Sequence, residues 1–158
     1  MGAFRVRLAL LRGDLAPARA WLPASGRLPA HWLDAVVDSP PLTRAWATLR
    51  LAPEAPSPPA ALTDALAAID ALLAETEGRH LVARQAQALA LRALAQQALG
   101  QGEPALASLA RALDLGEPGG LVRTFADLGP PLGALLDVLV AREPASAYRR
   151  RSPTPSLA

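Results

Sequence analysis

Apolar residues recur along this chain at helical spacing, in segments separated by clusters of proline and glycine. Within the segments, Ala and Leu lie three and four residues apart with polar residues between them, which is the pattern of one face of an α-helix. Proline and glycine end such patterns because neither suits a helix interior. The sequence therefore predicts helices at about 3–12, 15–22, 30–38, 41–51, 60–77, 80–99, 103–115, 121–127 and 131–141.

Several of the predicted helix ends carry residues typical of such ends. Ser39 and Ser57 each precede a proline, which places a capping hydroxyl before a proline at the first helical position. Gly78 and Gly100 follow apolar helical runs, where a residue in the left-handed conformation commonly ends a helix. These residues support the predicted bounds independently of the apolar spacing.

A short pattern repeats along the chain. The stretches "ALASLARAL" (105–113) and "ALAAIDALL" (65–73) share one arrangement of apolar residues, forty residues apart. Gly13 and Gly100 are each followed five residues later by an alanine, and alanine at a helix crossing lets two helix backbones approach closely. We expect an all-α fold, a right-handed α-solenoid of about three tetratricopeptide-like helix hairpins with short closing helices. The alternative is an Ala-rich helical bundle whose repeats match by chance.

Composition supports the helical prediction and excludes several kinds of site. Ile69 is the only isoleucine, and Ala and Leu, the best helix formers, supply most of the apolar residues. The absence of Cys excludes disulfides and thiolate metal sites. All sixteen basic residues are Arg, but the net charge is only +2, so the high pI is no sign of nucleic-acid binding.

The distribution of charge argues against a nucleic-acid or membrane surface. Residues 51–120 carry four Arg and eight acidic residues, and both ends are mildly basic. The one dense basic run, at 149–151, is short for a phosphate-binding surface. No stretch is apolar enough for a membrane span or a signal peptide. We therefore expect a cytoplasmic protein that contacts neither nucleic acid nor membrane.

The run from Leu89 to Leu136 resembles the tetratricopeptide-like region of LuxR-family, MalT-like transcription regulators, and the likeness extends over about 5–151. Two phrases carry it, "ALASLARALDLGEPGG" and "LVRTFADLGPPLGALL". Leu121 stands where the family usually has an aromatic residue, and Leu128 where it usually has an acid. The matching positions are Ala105, Leu106, Leu109, Ala112, Leu113, Pro118, Gly120, Val122, Arg123, Phe125, Asp127, Gly129, Pro131, Leu135 and Leu136.

The resemblance implies a role in signal sensing. Such regulators join an N-terminal nucleotide-binding module, helical repeats and a C-terminal helix-turn-helix. A chain without Lys cannot supply a P-loop, and "AYRRRSPTPSLA" does not continue into a helix-turn-helix. We expect a repeat domain at 1–143 and a poorly ordered tail at 144–158. The repeats would bind a small-molecule inducer or a protein partner; the alternative is a stand-alone tetratricopeptide-like adaptor that binds a protein.

Candidate chemistry is sparse. His31 and His80 fall in different helices without neighbouring ligands, so we expect no catalysis, metal or cofactor. A partner groove is predicted on the helix at 80–99, although its polar residues are also ordinary exposed helix formers. The predicted groove residues are Arg84, Gln87 and Gln97.

The remaining conspicuous residues are expected to be structural. Trp21, Trp32 and Trp46 would fill gaps between hairpins, or alternatively form a platform for a ligand. The stretch "GLVRTFADLGPPLGALLD" would be a joint between helices. In it Val122 and Phe125 face the core, Arg123 pairs with Asp127, Gly129 ends the short helix, and the next helix carries a buried stripe of leucines.

Overall fold

The computed structural model of the chain describes residues 2–26, 39–76 and 81–142, and every regular element in those ranges is a helix. The predicted bounds agree with the observed ones to within a few residues, and the predicted helix at 30–38 lies outside the described residues. The elements are α1 (Ala3–Leu11), α2 (Ala16–Ser25), α3 (Pro40–Leu51), a 3₁₀ turn (Ala52–Glu54), α4 (Pro58–Thr76), α5 (Val82–Ala98), α6 (Gly102–Gly116), α7 (Val122–Ala126) and α8 (Pro130–Arg142).

The helices pack in the order of the chain. From α1 to α6, each packs on the next, and α5 and α6 make the most extensive contact. In addition, α1 packs on α3 and α3 on α5, so alternate helices form one layer. At the C-terminal end, α8 packs on α6, and Arg142 in its last turn pairs with Glu103 in the first turn of α6. Those two helices therefore run in opposite directions.

The central part of helix α5, from Ala86 to Gln96, is enclosed by other helices. It packs on α3, α4, α6, α7 and α8. Alanine is suited to such a position because it has no side chain that would hold neighbouring helices apart, and it loses no side-chain entropy on folding. Two glutamines share the buried surface. Its buried residues are Ala86, Gln87, Ala88, Leu89, Ala90, Leu91, Ala93, Ala95 and Gln96.

Larger side chains fill the spaces between helices. Trp21 and Trp46 are both buried in the core, as predicted for gap-filling residues, whereas Trp32 lies outside the described residues. Neither buried indole N–H has a hydrogen-bond partner, so both rings are held by apolar packing alone. The largest fully buried side chains are Leu10, Leu42, Ile69, Leu91, Leu109, Leu128, Leu132 and Val6.

The turn after α1 has the same form as the turn after α5. Gly13 and Gly100 both have φ 76°, a left-handed conformation that suits glycine because it lacks Cβ. In each turn the amide after the glycine donates to the carbonyl five residues earlier, which closes the helix end. Ala18 and Ala105 are both fully buried. The glycine-to-alanine spacing in the sequence thus marks equivalent turns.

Two predictions about helix ends need correction or extension. Pro40 and Pro58 do begin their helices, but Ser39 makes no capping hydrogen bond through its side chain. Helix α2 runs past Pro23 to Ser25, beyond the predicted end at 22. Proline cannot donate to the carbonyl four residues earlier, and the helix ends two residues after Pro23. Gly78 lies outside the described residues.

A buried hydrogen bond joins the two helices with the largest contact. The Ser108 hydroxyl of α6 donates to Oε1 of Gln96 in α5 at 2.7 Å, and both residues are buried. A buried amide without a partner is costly, so this bond favours one register between the helices. Separately, no helix in the described ranges is long and apolar enough to cross a membrane.

Removing the hydroxyl should expose this coupling. Ser108→Ala leaves the side-chain oxygen Oε1 of Gln96 without its donor and should lower the free energy of unfolding by about 1–3 kcal/mol. Gln96→Leu with Ser108→Ala should lose less than the sum of the single changes, because no unpaired polar group remains. Urea denaturation of the three variants measures this. If the effects of the two single changes on the free energy of unfolding simply add, the Ser108 and Gln96 side chains do not stabilise each other in the folded chain.

Candidate functional site

Two left-handed glycines shape the joint between α6 and α8. Gly120 (φ 60°) precedes α7 and Gly129 (φ 81°) follows it. Glycine adopts these left-handed conformations without the steric cost that a Cβ atom would bring. The short helix ends at Ala126 with Asp127 as its C-cap, Gly129 lies two residues further on, and Pro130 begins α8 directly after it.

The Phe125 ring fixes α7 against α6. A Cβ atom built on Gly116 would lie 2.8 Å from Cε2 of the ring, so the ring approaches a part of α6 that has no side chain. The ring is half-buried and packs against the core. Leu128, just after α7, is 1% exposed and provides the second anchor. Position 128, where the sequence resemblance leads one to expect an acid, is therefore a core position.

One prediction about the joint is wrong. Val122 was expected on the apolar face of the short helix, but its side chain is 75% exposed. Helix α7 has only five residues and no buried one. With Phe125 held on Gly116, and Leu128 inserted just beyond the helix, Val122 is turned to solvent.

The predicted pair on the outer face of α7 is present but loose. Nε of Arg123 lies 3.9 Å from Oδ1 of Asp127, and the Arg123 side chain is 93% exposed. An exposed ion pair of this length contributes little to stability because water screens it and both side chains are free to move. Of the four leucines of the predicted stripe in α8, Leu132 and Leu135 are buried, whereas Leu136 and Leu139 are half-buried and line a cavity.

The joint forms a solvent-open cavity of about 560 Å³, here called the apolar cavity. Its walls are the C-terminal end of α6, both turns of the joint, α7 and α8. Nearly all of its surface is apolar, and Glu117 is the single charged residue among those that line it. The lining residues are Leu113, Gly116, Glu117, Gly120, Leu121, Val122, Phe125, Ala126, Gly129, Gly133, Leu136, Leu139 and Val140.

The electrostatic character of the apolar cavity is negative. Glu117 lies directly after α6 and is exposed. The C-terminal end of α6 adds partial negative charge, and the N-terminal ends of α7 and α8, which also border the cavity, add partial positive charge, so Glu117 supplies the only full charge in the lining. Elsewhere the lining offers aliphatic side chains and one aromatic ring. The cavity therefore suits a molecule with an apolar body and one cationic group.

A second, smaller cavity lies between α4, α5 and α6, and is here called the polar cleft. Its volume is about 260 Å³. Two arginines, one carboxylate and one amide line it together with four apolar residues. The lining residues are Asp70, Leu73, Ala74, Gln85, Leu89, Arg92, Arg111 and Leu115.

The three residues of the predicted groove do not line either cavity. Gln87 is buried, Arg84 is half-buried and Gln97 is exposed. At about 100° per residue, Arg84 and Gln97 lie about 140° apart around α5, so they do not share one face. Their role in binding remains a prediction. His31 and His80 lie outside the described residues.

Sequence reasoning missed both cavities, although part of the signal was present. Gln85, Leu89 and Arg92 have the spacing of one helical stripe, but only the tertiary structure brings Asp70 and Arg111 beside them. The apolar cavity depends on the path of the joint, which residue types alone do not define. Within the described part of the chain, no group of three His, Cys, Asp or Glu residues is placed to hold a metal ion.

Comparison with known proteins gives one match. The family model described as the MalT-like TPR region matches residues 1–142 of this chain. The match spans all eight helices described above and includes the joint. No curated protein and no solved structure matches the chain.

Two glycines in the wall of the apolar cavity should respond oppositely to the same substitution. Gly129→Ala forces a Cβ into the left-handed region and should lower the free energy of unfolding by about 1–2 kcal/mol. Gly133→Ala, inside α8 and facing open space, should raise it by up to about 1 kcal/mol through better helix propensity. Chemical denaturation of both variants tests the joint, and equal effects of the two changes would contradict its described backbone.

Proposed function

This chain belongs to the family of MalT-like tetratricopeptide regions, and on that basis we propose that it is the effector-sensing repeat region of a MalT-like transcription regulator. The family match over residues 1–142 is the observation that carries the proposal. We further propose that its helices form a right-handed solenoid of about three hairpins. The contacts of α1 with α3 and of α3 with α5 support this stacking. The chain itself makes no DNA contact and catalyses no reaction in this proposal.

The apolar cavity is the proposed effector site. Its volume of about 560 Å³ falls in the range of small-molecule sites, which are mostly apolar with a few polar groups that orient the ligand. Glu117 is the orienting group, and it favours a ligand with a positive charge. The proposed effector is therefore a small apolar amine, with its amine at Glu117 and its apolar body against Phe125 and Leu136.

The position of the cavity explains how binding would be sensed. Helix α7 contributes no buried residue of its own, so the joint is held mainly by Phe125 on Gly116 and by Leu128. A ligand in the cavity would contact α6, α7 and α8 at once and so stabilise one placement of α8 on α6. A ligand that prefers one arrangement shifts the population toward it. Such a shift would be the signal passed on by the repeat region.

The test places a larger side chain at a residue that lines the apolar cavity. Gly133 lines the cavity, and a Cβ atom added there would meet no other atom within 4 Å, so Gly133→Leu should fold normally and should occupy part of the ligand volume. Phenethylamine and octylamine should raise the melting temperature of the wild-type chain, because a ligand of the native state stabilises it. Gly133→Leu should lose that increase, and Gly133→Ala, the matched control, should keep it.

Two further probes define the ligand chemistry. Glu117→Gln should weaken amine binding by about tenfold, the usual effect of losing a charged hydrogen-bond partner. The corresponding alcohols should bind wild type more weakly than the amines. The proposal fails if no amine stabilises the wild-type chain, or if Gly133→Leu binds amines as well as wild type does.

A further inference from the structure

The polar cleft gathers positive charge within the acidic part of the chain. Residues 51–120 carry four Arg and eight acidic residues, yet two of those four, Arg92 and Arg111, line this one cleft. Asp70 is the single acidic residue in its lining, so the cleft has an excess of one positive charge. Convergence of arginines from two helices is unexpected in a segment whose net charge is negative.

Asp70 holds Arg92 in place without using all of its donors. Oδ1 of Asp70 lies 2.9 Å from Nε of Arg92, but this contact falls short of hydrogen-bond geometry. A guanidinium presents several N–H donors in a rigid plane, and the Arg92 side chain remains about one-third exposed. The ion pair therefore orients Arg92 while leaving part of its donor edge accessible to a ligand.

The walls of the cleft are fixed to each other. Nε2 of Gln85, in the first turn of α5, donates to the Thr76 carbonyl at the end of α4 at 2.7 Å. The opposite wall is α6, which makes with α5 the most extensive helix contact in the described chain. Arg111 is exposed on that wall. A site built between rigid helices needs little reordering when a ligand binds, which favours affinity.

The rest of the lining is aliphatic. Leu73, Leu89 and Leu115 line the cleft beside the two arginines. An apolar neighbourhood lowers the local dielectric constant and strengthens a charged hydrogen bond. The leucines expose less surface in the cleft than the polar residues do, so they offer contact to a short hydrocarbon chain only. A carboxylate with an aliphatic body matches both halves of this lining, since guanidinium and carboxylate groups have complementary planar geometry.

We propose that the polar cleft is a binding site for the carboxylate of a small aliphatic acid, held by Arg92 and Arg111. This site is independent of the proposed amine site. Arg111 and Leu115 lie on one side of α6, and Leu113 and Glu117 of the apolar cavity lie on another, by about 100° per residue of helix. The two sites can therefore be disabled separately.

The test uses sodium hexanoate as the probe. Isothermal titration with the full chain should show saturable binding that weakens as sodium chloride is added, because salt screens the charge. In the Gly133→Leu chain, whose proposed amine site is blocked, hexanol and hexylamine should bind at least tenfold more weakly than hexanoate. Arg111→Gln should weaken hexanoate binding at least tenfold, because it removes one of the two guanidinium groups that hold the carboxylate. The change should not disturb the fold, because Arg111 is exposed. Arg123→Gln, at an exposed arginine outside the cleft, is the control and should bind as wild type does.

Further measurements distinguish a free acid from an acidic side chain as the ligand, and the carboxylate site from the amine site. A capped glutamate that binds as tightly as hexanoate would identify an acidic side chain of a partner as the source, whereas preference for hexanoate would identify a free acid. Gly133→Leu should leave hexanoate binding unchanged, and Arg111→Gln should leave amine binding unchanged. The carboxylate site is disproved if hexanoate does not bind, or if Arg111→Gln and Arg123→Gln bind it equally.

Discussion

The structure depends on close packing around α5, whose central part is enclosed by five other helices of the described chain. A helix so enclosed must carry small residues where neighbouring backbones approach, and alanines occupy those positions in α5. Each alanine buries little apolar area, so its contribution to stability is smaller than that of leucine. The stability that alanine does not provide comes from leucines and Ile69 in the gaps between helices, and from the Trp21 and Trp46 rings. The Gln96–Ser108 hydrogen bond favours one register in the contact between α5 and α6, which is otherwise largely apolar.

Both proposed sites are consequences of how helices are joined to this centre. The polar cleft forms where α4 and α6 both pack on α5 and leave a space that all three helices line. The apolar cavity forms where the regular packing stops, because two left-handed glycines and a short α7 replace a full helix beside α6. Close packing of small residues leaves no room for a ligand, so sites arise where that packing is interrupted or where long side chains meet at its edge.

The helices and the repeat were predictable because they depend on local chemistry. Alanine and leucine at helical spacing predict α-helices, and glycine before a buried alanine marks equivalent turns at Gly13 and Gly100. The stripe through Leu132 was predictable for the same reason. The outward turn of Val122 and the buried position of Leu128 were not, because they depend on where the Phe125 ring meets α6. The cavities were also beyond sequence reasoning, since their lining comes from residues far apart in the chain.

The central claim is that α5 is the most stable element and that α7 is held by few contacts. Native-state hydrogen exchange at individual backbone amides tests it most directly, because protection reports the free energy of opening of each segment. Amides near Leu91 in α5 should exchange slowest in the described part of the chain, only by global unfolding. Those of α7 should exchange fastest among the helices, by local opening. Exchange of α5 through local opening, at rates equal to those of α7, would contradict the account.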